Sequence, residues 1–110
     1  MEKLQLENLT NEQIAFQLIL HSGNARSKVI QSLREYRGGK REEAEQLLKE
    51  AEADLSVAHH IHFQLVQKEA NREKTEFSLL LMHAEDHLMS TLSMKELVKE
   101  LIELLKERNL

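Results

Sequence analysis

Between Leu79 and Leu92 the chain is apolar at most positions, yet it sets two imidazoles and a carboxylate into that run as His83-Ala84-Glu85-Asp86-His87-Leu88-Met89. At about 100° per residue, a helix brings His83, Asp86 and His87, at i, i+3 and i+4, to one side. Leu79, Leu80, Leu81, Met82, Ala84, Leu88, Met89 and Leu92 cover most of the remaining circumference. A helix apolar nearly all round is a buried one. In a chain of 110 residues, burial on that scale implies that other subunits pack against this helix. It then places Asp86 in an interface, where a carboxylate must be paired, protonated or metal-bound.

The rest of the chain predicts two further helices and short turns. Thr10-Asn11-Glu12-Gln13 fits a capping box, with Leu9 and Ile14 as its hydrophobic staple, so a first helix begins near residue 11. It runs to about Arg37 on a stripe of Ile14, Leu18, Val29, Leu33 and Tyr36, and Gly38-Gly39 ends it. A second helix from about Arg41 to Ala70 follows Ala44, Leu47, Leu48, Ala51, Leu55, Ala58, His62, Leu65 and Val66 at the three- and four-residue steps of a bundle seam. Asn71-Arg72-Glu73-Lys74 is a polar break, and a third helix runs from about Thr75 to Glu107. In its second half Leu97, Val98, Leu101, Ile102, Leu104 and Leu105 oppose a charged face. Short connections make neighbouring helices antiparallel, so the expected fold is all-α: one domain over residues 1–110, an up-down-up three-helix hairpin. Its apolar excess would be covered by helix 3 packing on copies of itself.

Composition narrows the function classes. Charged residues are 31% and aromatics 4%, with no proline, which suits long bundle helices. A net charge of -4 supplies no basic stripe for a phosphate backbone, so nucleic acid is an improbable partner. The absence of cysteine excludes disulfide and thiol chemistry. No run approaches the roughly 20 apolar residues of a spanning helix, and the acidic, polar N-terminus lacks a signal-peptide pattern, so a cytoplasmic setting is expected. There is no GxxxxGK[ST] motif and no glycine-rich phosphate loop.

Of six histidines, His21 reads as structural. His59 and His62 share a face of helix 2 at i, i+3, a spacing that can hold zinc but has no carboxylate or cysteine nearby in sequence. His83 and His87 have the i, i+4 spacing of a metal pair, yet Ala84 stands where HExxH needs its glutamate, so the zinc-protease reading fails. By residue chemistry alone, a helix histidine is more often a hydrogen-bonded core residue than a nucleophile. The clustering of titratable groups leaves catalysis open.

HAEDHLM closely resembles the HAQDHLM signature of the IIA component of the lactose/cellobiose (chitobiose) branch of the bacterial sugar phosphotransferase system. The likeness extends to Phe16–Leu20 with Ser22-Gly23-Asn24-Ala25-Arg26-Ser27, to Glu43-Ala44-Glu45, to Ala58-His59-His60, to Leu65-Val66-Gln67-Lys68-Glu69-Ala70 and to Leu79-Leu80-Leu81-Met82. It covers about residues 14 to 107 in the same order. The resemblance implies that His83 is the phosphorylated nucleophile. It also implies a homotrimer in which three copies of Asp86 meet around a divalent metal, usually magnesium, that is structural rather than catalytic. His83 would take its phosphoryl group from HPr and pass it to a cysteine of a IIB component, which serves a membrane IIC component, for uptake of a β-linked disaccharide of the lactose, cellobiose or chitobiose class.

Three supporting residues follow from the same comparison. His87 could orient the site, and Gly23 could admit a close helix. Glu85 departs from the usual glutamine, as a carboxylate that can only accept hydrogen bonds; its i+2 position predicts that it faces solvent or a cation on a neighbouring subunit. His62 stands where glutamine or another polar residue is common. Two competing readings stay open: a non-catalytic helical module in which His83, Asp86 and His87 hold an ion, and a histidine-phosphotransfer module of a two-component relay.

Overall fold

Side-chain and glycine signals set the helix ends. The computed structural model describes residues 8–74 and 76–110, in which three helices follow one another: α1 (Asn11–Arg37), α2 (Arg41–Ala70) and α3 (Leu79–Glu107). Thr10 caps α1 through its hydroxyl, which accepts from the Gln13 amide at 3.1 Å, while the Gln13 side chain accepts from the Thr10 amide at 2.9 Å. The capping box is therefore complete in both directions. At the other end Gly39 takes φ 83, in the left-handed region, and the Lys40 amide donates to the Glu35 carbonyl at 2.9 Å. Arg72 closes α2 in the same way with φ 62, and the Glu73 amide donates to the Lys68 carbonyl at 3.0 Å.

The start of α3 differs from the expectation. The helix opens at Leu79, not near Thr75, because Ser78 is its cap: its backbone is extended (φ -142, ψ 149) and its hydroxyl accepts from the Leu81 amide at 3.0 Å. Thr75 itself lies outside the described residues. The Ser78 hydroxyl satisfies a first-turn amide, and this local hydrogen bond fixes the start of the helix.

The three helices form an antiparallel up-down-up rod with extents of 52 × 22 × 21 Å. Both α2 and α3 pack chiefly on α1 and only lightly on each other. Alanines lie fully buried where the helices approach, namely Ala15, Ala25, Ala44, Ala51, Ala58 and Ala84, and their short side chains permit close packing. Between them sit Leu18, Val29, Leu55, Ile61, Leu88 and Ile102. Ser32 is buried and donates to the Ala44 carbonyl at 2.7 Å, tying α1 to the first turn of α2.

Two seam assignments need correction. In α2, Ile61 occupies the core while His62 is only half-buried and Val66 is exposed, because the stripe drifts by one position at that level. In α3, Val98 and Ile102 are buried whereas Leu97, Leu101 and Leu104 are exposed, so the apolar residues of the second half form two faces and not one.

The light α2–α3 contact is supplemented by ionic ties at the end distant from the signature segment. Lys99 donates to Glu52 at 3.3 Å, and Lys106 pairs with Glu45. The Tyr36 hydroxyl and the Arg41 guanidinium both donate to the Leu110 carbonyl, at 2.8 and 3.1 Å, and the Arg41 guanidinium lies 5.3 Å from the centre of the Tyr36 ring.

Leu88, with no exposed surface, should cost about 2–5 kcal/mol on Leu88→Ala by lost transfer energy and the cavity left behind, measurable by urea unfolding. The hydrogen bond and charge of Lys106 hold the Glu45 carboxyl below its ordinary value, and Glu45 correspondingly raises Lys106. A lowered carboxyl contributes stability above its unfolded value that disappears as pH falls through the folded one. The melting temperature of Lys106→Met should thus fall slightly below wild type at neutral pH, and the gap should close on acidification past the carboxylate range.

Candidate functional site

The signature segment occupies the first turns of α3. Ala84 and Leu88 point into the bundle and are fully buried, which fixes the rotation of the helix about its axis. His83 is consequently exposed, Asp86 is exposed, and His87 and Glu85 are half-buried on opposite flanks of the buried pair. The expected juxtaposition of His83, Asp86 and His87 holds to the extent that the two imidazoles meet, with ring centroids 6.2 Å apart and planes at 81°. His83 makes no hydrogen bond among the described residues, so its ring nitrogens are open to an incoming group. A neutral imidazole nitrogen placed in this way is a competent nucleophile.

Thr91, one turn further along α3, is fully buried and was not singled out by the sequence reading. Its hydroxyl donates to the His87 carbonyl at 2.7 Å and lies 3.5 Å from the His87 Nδ1. It braces the backbone of the signature helix from the core side. The signal for it was available: Thr91 stands at i+3 from Leu88 and i+7 from Ala84, on the buried face.

Asp86 makes no hydrogen bond or ion pair among the described residues. It projects from the side of α3 that faces away from the chain's own core, so the expected interface lies outside a single chain. Among the described residues, no three His, Cys, Asp or Glu side chains of one chain converge as a set able to hold a metal ion. The carboxylate nonetheless suits a hard cation, since its oxygens are unengaged by any internal donor.

Glu85 corrects the sequence reading. It does not face solvent alone, because its Oε2 bonds the Nδ1 of His62 on α2. Each of the two side chains keeps 26% of its surface exposed. Glu85 and His62 therefore contact each other across the α2–α3 groove. The antiparallel register carries that signal, since Glu52 with Lys99 and Glu45 with Lys106 place residues near 62 opposite residues near 85. His59, the other half of the possible zinc pair, has its ring centroid 6.1 Å from that of His62.

His62 and Glu85 also line an open cleft of about 440 Å³ between the end of α2 and the start of α3. Leu65, Val66, Phe77, Leu81, Met82 and Met89 form its apolar walls, and Glu69 and Glu76 its rim. Gly23 lies away from these groups, and a Cβ placed there would meet nothing within 4 Å. Among the described residues, no close approach requires that glycine. His21 is half-buried, and its Nδ1 is buried without a partner among the described residues.

Comparison with known proteins agrees with this geometry. Residues 13–106 match the family described as the lactose/cellobiose-specific IIA subunit of the phosphotransferase system. The chain is 67% identical over its whole length, and the whole length of the relative, to the oligo-beta-mannoside-specific EIIA component of Bacillus subtilis. The crystal structure of the cellobiose-specific enzyme IIA from Bacillus anthracis superposes with a TM-score of 0.85 at 48% identity, covering 92% of this chain and 93% of that one. The chitobiose IIA protein of Escherichia coli, solved in solution in complex with HPr, superposes with a TM-score of 0.78 at 31% identity, over 93% of this chain and 99% of that one. No helix among the described residues is long and apolar enough to cross a membrane. The signature helix, the three-helix hairpin and the full-length likeness converge: the chain belongs to the lactose/cellobiose-specific IIA family of the sugar phosphotransferase system and is a phosphotransferase component.

Proposed function

We propose that this chain is the phosphocarrier that accepts a phosphoryl group on His83 from phospho-HPr and passes it to a cysteine of its IIB partner. The observation that carries the reading is the exposed, unengaged His83 ring at the start of a helix whose rotation is fixed by buried Ala84 and Leu88. A bond from an imidazole nitrogen of His83 to phosphorus forms as the bond to the donor breaks. In the second step that bond breaks while a sulfur–phosphorus bond forms on the IIB cysteine. Both steps depend on in-line positioning more than on proton chemistry, so an exposed nucleophile on a rigid helix is the main requirement. HPr is the partner seen with the chitobiose relative, and an exposed His83 leaves room for a protein of that kind. Transport follows through IIB and the membrane IIC component. The likeness to an oligo-beta-mannoside-specific relative at 67% identity favours a β-linked oligosaccharide as the sugar, with β-mannosides the first to test.

The acting form is a homotrimer with α3 at its centre. Leu79, Met82, Met89, Leu97, Leu101 and Leu104 are all exposed, 79% and 71% so for Leu79 and Leu97. Together with Asp86 and Ser93 they follow one another at steps of three and four along the whole of α3, opposite the face that packs on α1. An apolar stripe of that length on an isolated chain calls for a partner, and the periodicity is that of a helix–helix seam. Asp86 falls inside the stripe. Three copies facing one another would repel, so a divalent cation, magnesium by the family's usual assignment, is held by the three carboxylates and neutralises them.

Two outcomes test these readings. Wild-type protein incubated with phosphoenolpyruvate, enzyme I and HPr should gain one acid-labile phosphoryl mass, and His83→Ala should gain none; a folded wild type that stays unmodified would overturn the carrier role. Leu97→Asp should shift the mass measured by light scattering from three chains to one with helicity retained, whereas a wild type that is already monomeric would rule out the trimer.

A further inference from the structure

Thr91 is fully buried and meets His87, one turn earlier on α3, in two ways. Its hydroxyl hydrogen is committed to the His87 carbonyl at 2.7 Å, so toward the His87 Nδ1, 3.5 Å away, the oxygen has only lone pairs to offer. Thr91 is the one hydrogen-bond partner of either His87 ring nitrogen among the described residues. In the neutral ring a bare Nδ1 would set lone pair against lone pair, whereas an Nδ1 that carries hydrogen meets an acceptor. The contact is long, so it acts as a bias on the tautomer, strengthened by the absence of water around the Thr91 oxygen. The shape of the ring carries this bias to His83. Nδ1 and Cδ2 lie on opposite sides of the bond that joins an imidazole to its chain. With Nδ1 turned toward Thr91, the Cδ2–Nε2 edge is turned back toward His83, one turn earlier. There the two rings stand 6.2 Å apart with planes at 81°, and no hydrogen bond joins them.

Resting on the reading that His83 carries the phosphoryl group, we propose that Thr91 is a positioning residue for the transfer: it holds His87 in the Nδ1–H tautomer, so that the nitrogen on the edge facing His83 is an acceptor. This is the reverse of the tautomer that free histidine prefers in water. As one His83 nitrogen bonds to phosphorus and the bond to the HPr donor breaks, positive charge grows on the N–H of the other His83 nitrogen. The bare Nε2 of His87 accepts from that N–H. Each hydrogen stays on its own ring, so no proton is transferred between them. Hydrogen bonds of this kind are often long in a resting protein and tighten when the donor docks. The opposite tautomer would turn a second donor toward the His83 N–H and leave it without an acceptor.

The tautomer is read from long-range nitrogen–proton correlation spectra of protein labelled at its histidine nitrogens, at alkaline pH where imidazoles are neutral, with His87 assigned from its absence in His87→Gln. Wild type should show a proton-bearing Nδ1 and a bare Nε2 on His87. Thr91→Val keeps the branched shape and the helical amide bond to the His87 carbonyl, and it should shift His87 toward the Nε2–H form. Thr91→Ser should match wild type. Mixed rapidly with phospho-HPr, Thr91→Val should be phosphorylated about three- to ten-fold more slowly at saturation, the size of one modest hydrogen bond, with the half-saturating concentration unchanged. Thr91→Ser should keep the wild-type rate. Wild-type His87 in the Nε2–H form would overturn the proposal, as would a Thr91→Val protein that is less heat-stable but keeps the wild-type tautomer and rate. Should Thr91→Val fail to fold, the wild-type tautomer still decides, and a Thr91→Ser protein that keeps the tautomer but loses the rate would decide against the proposal. A wild type that takes up no phosphoryl group would instead overturn the carrier reading, and the role in transfer with it, whatever the spectra show.

Discussion

The close packing of α2 and α3 on α1 is the constraint on which the other features depend. Alanines at the contact positions let the helices approach, and the larger core residues fill the space between them. Because α1 satisfies one face of each neighbour, α2 and α3 need little contact with each other. That leaves a groove between them, bridged by ion pairs at one end and opening into the cleft at the other. It also leaves the outer face of α3 uncovered along its length. The same packing therefore determines which side chains belong to the fold and which are available to other molecules.

Much of this was legible in the residues. Both ends of α1 and both ends of α2 follow from the Thr10 box, the Gly38-Gly39 turn and the polar break at 71–74, because local hydrogen bonding sets such boundaries irrespective of the rest of the fold. The start of α3 was misjudged because hydrophobic periodicity carries no information about a serine cap. The assignment of His62 to the seam failed for a related reason: Ile61 is one position away and apolar, and a 3.6-residue repeat over a long helix shifts the stripe by a residue. Glu85 was misplaced because helical spacing within α3 says which way a side chain leaves the helix, but the partner it meets is set by the register against α2.

The signature segment shows how one helix serves two environments. Its inward positions, Ala84, Leu88 and Thr91, are as fully buried as any in the bundle. Its outward positions, Met82, Asp86 and Met89, are exposed in the single chain. The chemistry proposed for His83 needs an accessible ring, and that condition is visible in the fold, since the ring stands between the two faces and belongs to neither. A nucleophile on the inward face would be inaccessible, and one in the centre of the outward stripe would be covered by any partner packed on that stripe.

The Ser78 cap has a consequence for the electrostatics around His83. Because α3 begins at Leu79, His83 lies in its second turn, about 6 Å along the axis from the first residue. The peptide dipoles of the helix sum to a partial positive charge at that end, where the first amides lack carbonyl partners. His83 stands just beyond the first turn, where this field has mostly decayed, so an anion on its ring would gain at most about a few tenths of a kcal/mol. Had the helix begun a turn earlier, the ring would stand deeper in the helix and the field there would be weaker. The serine hydroxyl that ends an irregular connection thus also sets how far the His83 ring stands from the positive end of the helix.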